Sequence, residues 1–169
     1  MSSAQPSTSD STSGGTAPPK RHQRLSLGDV SPGAQKAVLG MEQYVRSSGL
    51  DEGLVELVKI RASQINGCAF CLDMHHRDAR QRGESQRRLD VLSAWREVPG
   101  LFTDLERAAL AFTESVTRLA EGGVPDEVWD DVIRQLGEAG AADLLMAVAT
   151  INVWNRLAVT THQQPPELD

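Results

Sequence analysis

The 169 residues carry 17 Lys and Arg against 23 Asp and Glu, a net charge of −6, with 40% hydrophobic and 24% charged content. This length suits one domain able to bury its own core, and the acidic balance argues against nucleic acid or an anionic membrane surface as partner. No run approaches the roughly 18 apolar residues of a membrane span, and no secretory h-region is visible, so a cytoplasmic protein is expected.

Residues 1–24 are rich in Ser, Thr, Gly and Pro, with no large apolar residue after Met1. Such a segment cannot bury enough surface to offset its ordering entropy, so a disordered tail is expected there and the folded domain over 25–169. Ser31-Pro32 reads as an N-cap and first helical position, opening a helix to about Ser48 that Gly49 stops. Asp51 caps a second helix, in which Leu54, Leu57, Val58, Ala62 and Ile65 recur at helical spacing before Asn66-Gly67 breaks it. Asn66 is expected to cap a third helix to about Gln81, ended by Gly83.

A fourth helix is expected from about Ser85 to Trp95, interrupted by Pro99-Gly100. Thr103-Asp104-Leu105-Glu106 is a capping box opening a fifth. Pro125 starts a sixth, to about Leu136, and a last, Ala- and Leu-rich helix runs from about Gly140 to Thr160. With no strand alternation and no internal repeat, the fold class is all-α, a compact bundle of about seven helices.

The chain has two cysteines, Cys68 and Cys71, followed by His75 four residues on. Separations of three and four residues put all three side chains on one helical face. Near a helix start, free N–H groups and the dipole stabilise a thiolate, and His75 can accept the Cys71 proton and hold the ion pair. Cys68, one turn the other way, is within disulfide reach if the backbone permits. Glu56, on the preceding helix, can orient His75 or relay its proton; its alternative is a surface pair with Lys59 at i,i+3. A metal reading lacks an evident fourth ligand, since His76 points away and only His162 or Glu56 can complete the set through the fold. Trp95, Trp129 and Trp154 read as core or interface residues, and Asn152 and Asn155 as structural asparagines needing partners.

The stretch from Glu56-Leu57-Val58-Lys59-Ile60-Arg61 through Asn66-Gly67-Cys68-Ala69-Phe70-Cys71 to His75, Ala79 and Gly83 resembles the AhpD-like core of the alkylhydroperoxidase and carboxymuconolactone decarboxylase superfamily. The resemblance continues through Trp95-Arg96-Glu97, Phe102-Thr103, Glu106-Arg107-Ala108-Ala109-Leu110 and Ile151-Asn152-Val153-Trp154-Asn155-Arg156. It implies an all-helical subunit assembling as a homotrimer or homohexamer, with peroxidase activity on a hydroperoxide. Cys71 takes the position of the peroxidatic cysteine, Cys68 that of its resolving partner, and His75 and Glu56 those of the proton relay. No cofactor is implied; an external dithiol or thiol protein re-reduces the disulfide. Phe70 stands where some members carry a second histidine between the cysteines, which makes the site more apolar. Two alternatives share these residues: a redox-sensing or interaction protein whose cysteine pair toggles, and a decarboxylase-like acid–base enzyme independent of both thiols.

Overall fold

The structure, a computed structural model, describes residues 22–98 and 100–166. The tail expected over residues 1–24 lies outside the described residues up to position 21, as does Pro99. Arg24 is described: its backbone N–H donates to the Thr161 carbonyl at 2.7 Å and its guanidinium to Thr160 at 3.0 Å.

Among the described residues the secondary structure is helical, without strands. In chain order come α1 (Leu27–Val30), α2 (Pro32–Ser47), α3 (Glu52–Asn66), α4 (Ala69–Gln81), α5 (Gln86–Val91), α6 (Asp104–Thr117) and α7 (Asp126–Thr161), with 3-10 turns over Leu92–Glu97 and Leu119–Glu121. The local signals act as their chemistry dictates. Pro32 opens α2, and the Asp51 carboxylate accepts the Leu54 N–H at 2.9 Å to cap α3. Thr103 and Glu106 form the reciprocal capping box of α6.

Two expectations change. Asn66 does not cap α4: it is the last residue of α3, Gly67 turns the chain at φ 65°, and Cys68 becomes the N-cap. The expected fourth helix is shorter, because after Val91 the chain tightens into the 3-10 turn, with Ala94 off helical geometry at φ −116°. The sixth and seventh expected helices both form and lie within the span of α7, where they meet at a kink: Gly137 leaves helical geometry at φ 68° and ψ 177°, a conformation that belongs almost entirely to glycine.

The middle of the bundle is α3. Every residue from Leu54 to Ser63 is buried, packed between α4, α6 and α7. Leu54 and Val58 meet Phe112 of α6 and Leu144 and Val148 of α7, whereas Leu57 and Ile60 meet Ala79, Leu92, Trp95 and Leu110. Full burial of side chains such as Leu57, Ile60 and Phe112 stabilises by about 2 kcal/mol each. A helix buried all round must satisfy its charged residues internally. Arg61 does so by donating to Glu114 of α6 at 2.7 Å, and Glu114 also accepts from the Trp95 indole at 2.9 Å and from Arg96.

By length and apolarity α7 alone among the described helices matches a membrane span. Its residues Leu144, Ala147, Val148 and Ile151 are fully buried against the other helices, so the apolar character belongs to the core.

Candidate active site

The cysteine pair arises from the α3–α4 junction. Left-handed Gly67 reverses the chain, Cys68 follows in extended geometry, and its sulfur folds over the first turn of α4 to accept the Cys71 N–H at 3.3 Å. Cys71 is thereby the third residue of the helix, with its Cα 5.4 Å from that of Cys68, within the ordinary range for a disulfide. The two sulfurs are joined. Both residues are nearly inaccessible, at 1% and 2% exposure, and pack with Ala62, Ile151, Phe70 and Trp154.

His75 lies one turn beyond Cys71 on α4 and is buried. Its Nδ1 meets Oε2 of Glu56 at 2.8 Å, so the two residues that the sequence argument joins across α3 and α4 are in contact. The other Glu56 oxygen faces Arg82 at 3.8 Å. Lys59, the alternative partner considered for Glu56, reaches instead to Glu42 of α2. Burial pushes the Glu42 carboxyl up, but the Lys59 hydrogen bond and charge, helped by Arg46, outweigh it and hold Glu42 below the ordinary carboxylate value.

These groups wall a cavity of about 440 Å³. Its lining combines apolar Leu39, Val55, Phe70, Met74 and Trp154 with Glu42, Lys59, Glu56, His75 and Arg82, and includes Cys71. Cys68 does not line this space. It opens instead on a smaller groove of about 230 Å³, shared with Gly67, Ala69, Val159 and His162.

Glu56, His75 and Asp78 present ligand-type atoms within 4.8 Å of one another, the one group of this kind among the described residues. Arg82 against Glu56 opposes an added cation there. His76 is half-buried and lines neither space; burial, with Arg80, lowers its tendency to protonate. Asn152 and Asn155 are structural, as expected: the Asn66 amide donates to their side-chain oxygens at 3.0 and 2.8 Å, and Asn155 donates to Ser63 at 3.0 Å.

Sequence reasoning missed Trp154 as a cavity wall, reading it as core or interface, took Lys59 only as a surface partner of Glu56, and missed Glu42 and Arg82 altogether. Lys59 has a legible signal, standing one turn after Glu56 on the same face of α3. Glu42 and Arg82 have none, because only the packing of α2 and α4 against α3 brings them in.

The sequence model of the carboxymuconolactone decarboxylase family matches residues 32–115. The uncharacterized protein YdfG of Bacillus subtilis (strain 168) is 39% identical over 137 residues, covering 81% of this chain and 92% of that protein. A protein of unknown function from Agrobacterium tumefaciens, proposed to be the antioxidant defence protein AhpD, superposes with a TM-score of 0.84 at 40% identity. That match covers 87% of this chain and all of the other. An uncharacterized peroxidase-related protein from Ralstonia eutropha JMP134, with an alkylhydroperoxidase AhpD core, shares the fold at 21% identity, a TM-score of 0.71 and coverage of 83% and 74%.

Proposed function

Since the chain belongs to the AhpD-like carboxymuconolactone decarboxylase superfamily, we propose that it is a thiol-dependent peroxidase working through Cys71, Cys68, His75 and Glu56. The observation that carries this reading is the Cys68–Cys71 disulfide at the wall of a cavity that also holds the buried Glu56–His75 pair. In the reduced protein Cys71 offers its thiolate to the cavity. The Glu56 carboxylate holds Nδ1 of His75, which leaves Nε2 to exchange the proton.

The Cys71 sulfur attacks the O–O bond of a hydroperoxide; the alkoxide leaves, takes a proton from His75 and departs as alcohol, and Cys71 becomes a sulfenic acid. The hydroxyl of that acid lies toward the cavity. Cys68 then forms the S–S bond and displaces the hydroxyl, which leaves as water after taking up the Cys68 proton. An external dithiol returns two electrons and two protons by exchange. No further cofactor enters this cycle. The apolar wall of Leu39, Phe70, Met74 and Trp154 suits an organic hydroperoxide. The same reading carries the homotrimer or homohexamer that the family resemblance implies: Leu39 and Tyr44 on α2 and Leu145 on α7 are exposed and available to a second copy. Sedimentation of the untagged protein checks it, a monomer at all concentrations being the adverse result.

The test is to follow thiol loss when the fully reduced protein meets cumene hydroperoxide and to map the product. Wild-type protein forms the Cys68–Cys71 disulfide far faster than free cysteine oxidises. Cys68→Ser stops at a sulfenic acid on Cys71, trapped by a dimedone adduct, and Cys71→Ser consumes no peroxide. Turnover retained in Cys71→Ser would falsify the nucleophile assignment. Thiols that oxidise slowly but reversibly identify a redox sensor. A second reading, acid–base chemistry of the decarboxylase type, is favoured by the Glu56–His75 pair alone and requires that lactone turnover survive loss of both cysteines.

A further inference from the structure

We infer that Glu42 is the specificity-determining residue of the cavity: by holding the Lys59 ammonium, it closes the site to hydroperoxides that carry a carboxylate and leaves it to uncharged ones. This rests on the peroxidase reading and adds which hydroperoxides the site accepts. The Lys and Arg residues of the cavity lining are Arg46, Lys59 and Arg82. Lys59 is the buried one, 4% exposed in the middle of α3, and its Nζ donates to Oε1 of Glu42 at 2.5 Å. Arg46 and Arg82 are exposed, and each has a carboxylate of its own. Arg46 meets Glu42 at 3.5 Å; Arg82 meets Glu52 at 2.9 Å and Glu56 at 3.8 Å.

A carboxylate that leaves water for such a space needs a cation whose charge is not already taken up. The lining offers none. Its carboxylates, Glu42, Glu52, Glu56 and Asp78, outnumber the three cations, so an added anion meets net repulsion. On the proposed mechanism His75 does not alter that balance, because its proton, when present, faces the Cys71 thiolate. Glu42 is ionised at neutral pH: burial pushes its carboxyl up, but Lys59 and Arg46 outweigh the burial and hold it below the ordinary value. A charge on His75 acts on Glu42 in the same direction, so the Glu42–Lys59 pair lies within electrostatic reach of the reacting groups. An uncharged hydroperoxide needs no counter-ion and gains from contact with Leu39, Phe70, Met74 and Trp154. Removing the Glu42 charge alone leaves a buried ammonium without its counter-charge, a partner for a substrate carboxylate.

Two hydroperoxides of one shape test this: cumene hydroperoxide and the same compound with a para-carboxylate. Each is mixed with the fully reduced protein, and the second-order rate constant of thiol loss is compared with that of free cysteine. Relative to free cysteine, wild-type protein favours the uncharged compound by about tenfold or more. In Glu42→Gln, whose amide oxygen still accepts from Lys59, that preference falls by about tenfold. Adding Lys59→Met to Glu42→Gln restores the preference, because the buried cation is gone. The matching alcohols, which cannot oxidise a thiol, give a second reading by ligand-observed NMR titration, with the same order of affinities. Equal rates or equal affinities in wild-type protein overturn the inference without recourse to any variant. A folded Glu42→Gln protein that keeps the wild-type preference removes Glu42 from the role. Binding of neither alcohol removes the cavity as the substrate site and overturns the inference as well. Wild-type protein that prefers the uncharged alcohol yet reacts with neither hydroperoxide defeats the peroxidase reading alone, because the binding arm never uses peroxide.

Discussion

His75 has one nitrogen held by Glu56 and Cys71 one turn before it on the same helix. On the proposed mechanism, removing the imidazole takes away the base that would hold a Cys71 thiolate as an ion pair. For His75→Ala, alkylation of Cys71 in the reduced protein shifts to higher pH, read as rate against pH with iodoacetamide. Glu56→Gln keeps a hydrogen bond to the ring but loses the charge, so peroxide turnover slows while the melting temperature changes little. An unshifted alkylation profile removes His75 from the proton transfer. The sequence argument reached this contact because α3 and α4 are consecutive and both residues recur at helical spacing. It did not reach Arg82 behind Glu56, whose approach depends on how far α4 runs past α3.

At the scale of elements, the site hangs on the junction between α3 and α4, and α7 secures it. Asn66, the last residue of α3, gives its amide to both Asn152 and Asn155, and Asn155 holds Ser63 one turn back. Asn155 and Ser63 are fully buried, where bulk water does not reach to replace a lost partner. Asn155→Ala therefore costs about 1–3 kcal/mol in denaturant unfolding, where an exposed substitution changes little. Asn66-Gly67 is legible as a break, yet the choice of cap is not. An Asn that can reach a following N–H is indistinguishable, along the chain, from one that reaches across to another helix. The structure chose the second, which gave the cap to the Cys68 sulfur.

For the whole molecule, charge buried between helices sets the response to acid. Burial raises the Glu114 carboxyl, but the hydrogen bonds from Trp95, Arg96 and Arg61 outweigh it and leave its pKa below the ordinary 4.5. A carboxylate depressed in the folded state contributes stability that is complete above the unfolded value and lost as pH falls through the folded one. The loss accordingly falls below pH 4.5. Glu114→Gln leaves Arg61 buried without its counter-charge and costs about 3 kcal/mol near neutral pH. The gap between variant and wild type narrows as the solution is taken to about pH 3. Denaturant midpoints at the two pH values check both statements, and a gap independent of pH contradicts them.

Helix class, most helix boundaries, the capping box at Thr103 and the shared face of Cys71 and His75 were determined by the sequence alone. Each rests on groups within about one helical turn of one another, where backbone geometry leaves few alternatives. Tertiary structure decided everything that needed two distant segments to meet. It turned Trp154 into a cavity wall, paired Lys59 with Glu42 rather than Glu56, and drew Asn66 to α7 instead of α4. It also placed Cys71 in the lining of the cavity and Cys68 in that of the smaller groove. Spacing along a helix fixes which side chains share a face; which helices cover that face, and where they leave room, depends on burying the apolar surface of the whole chain at once.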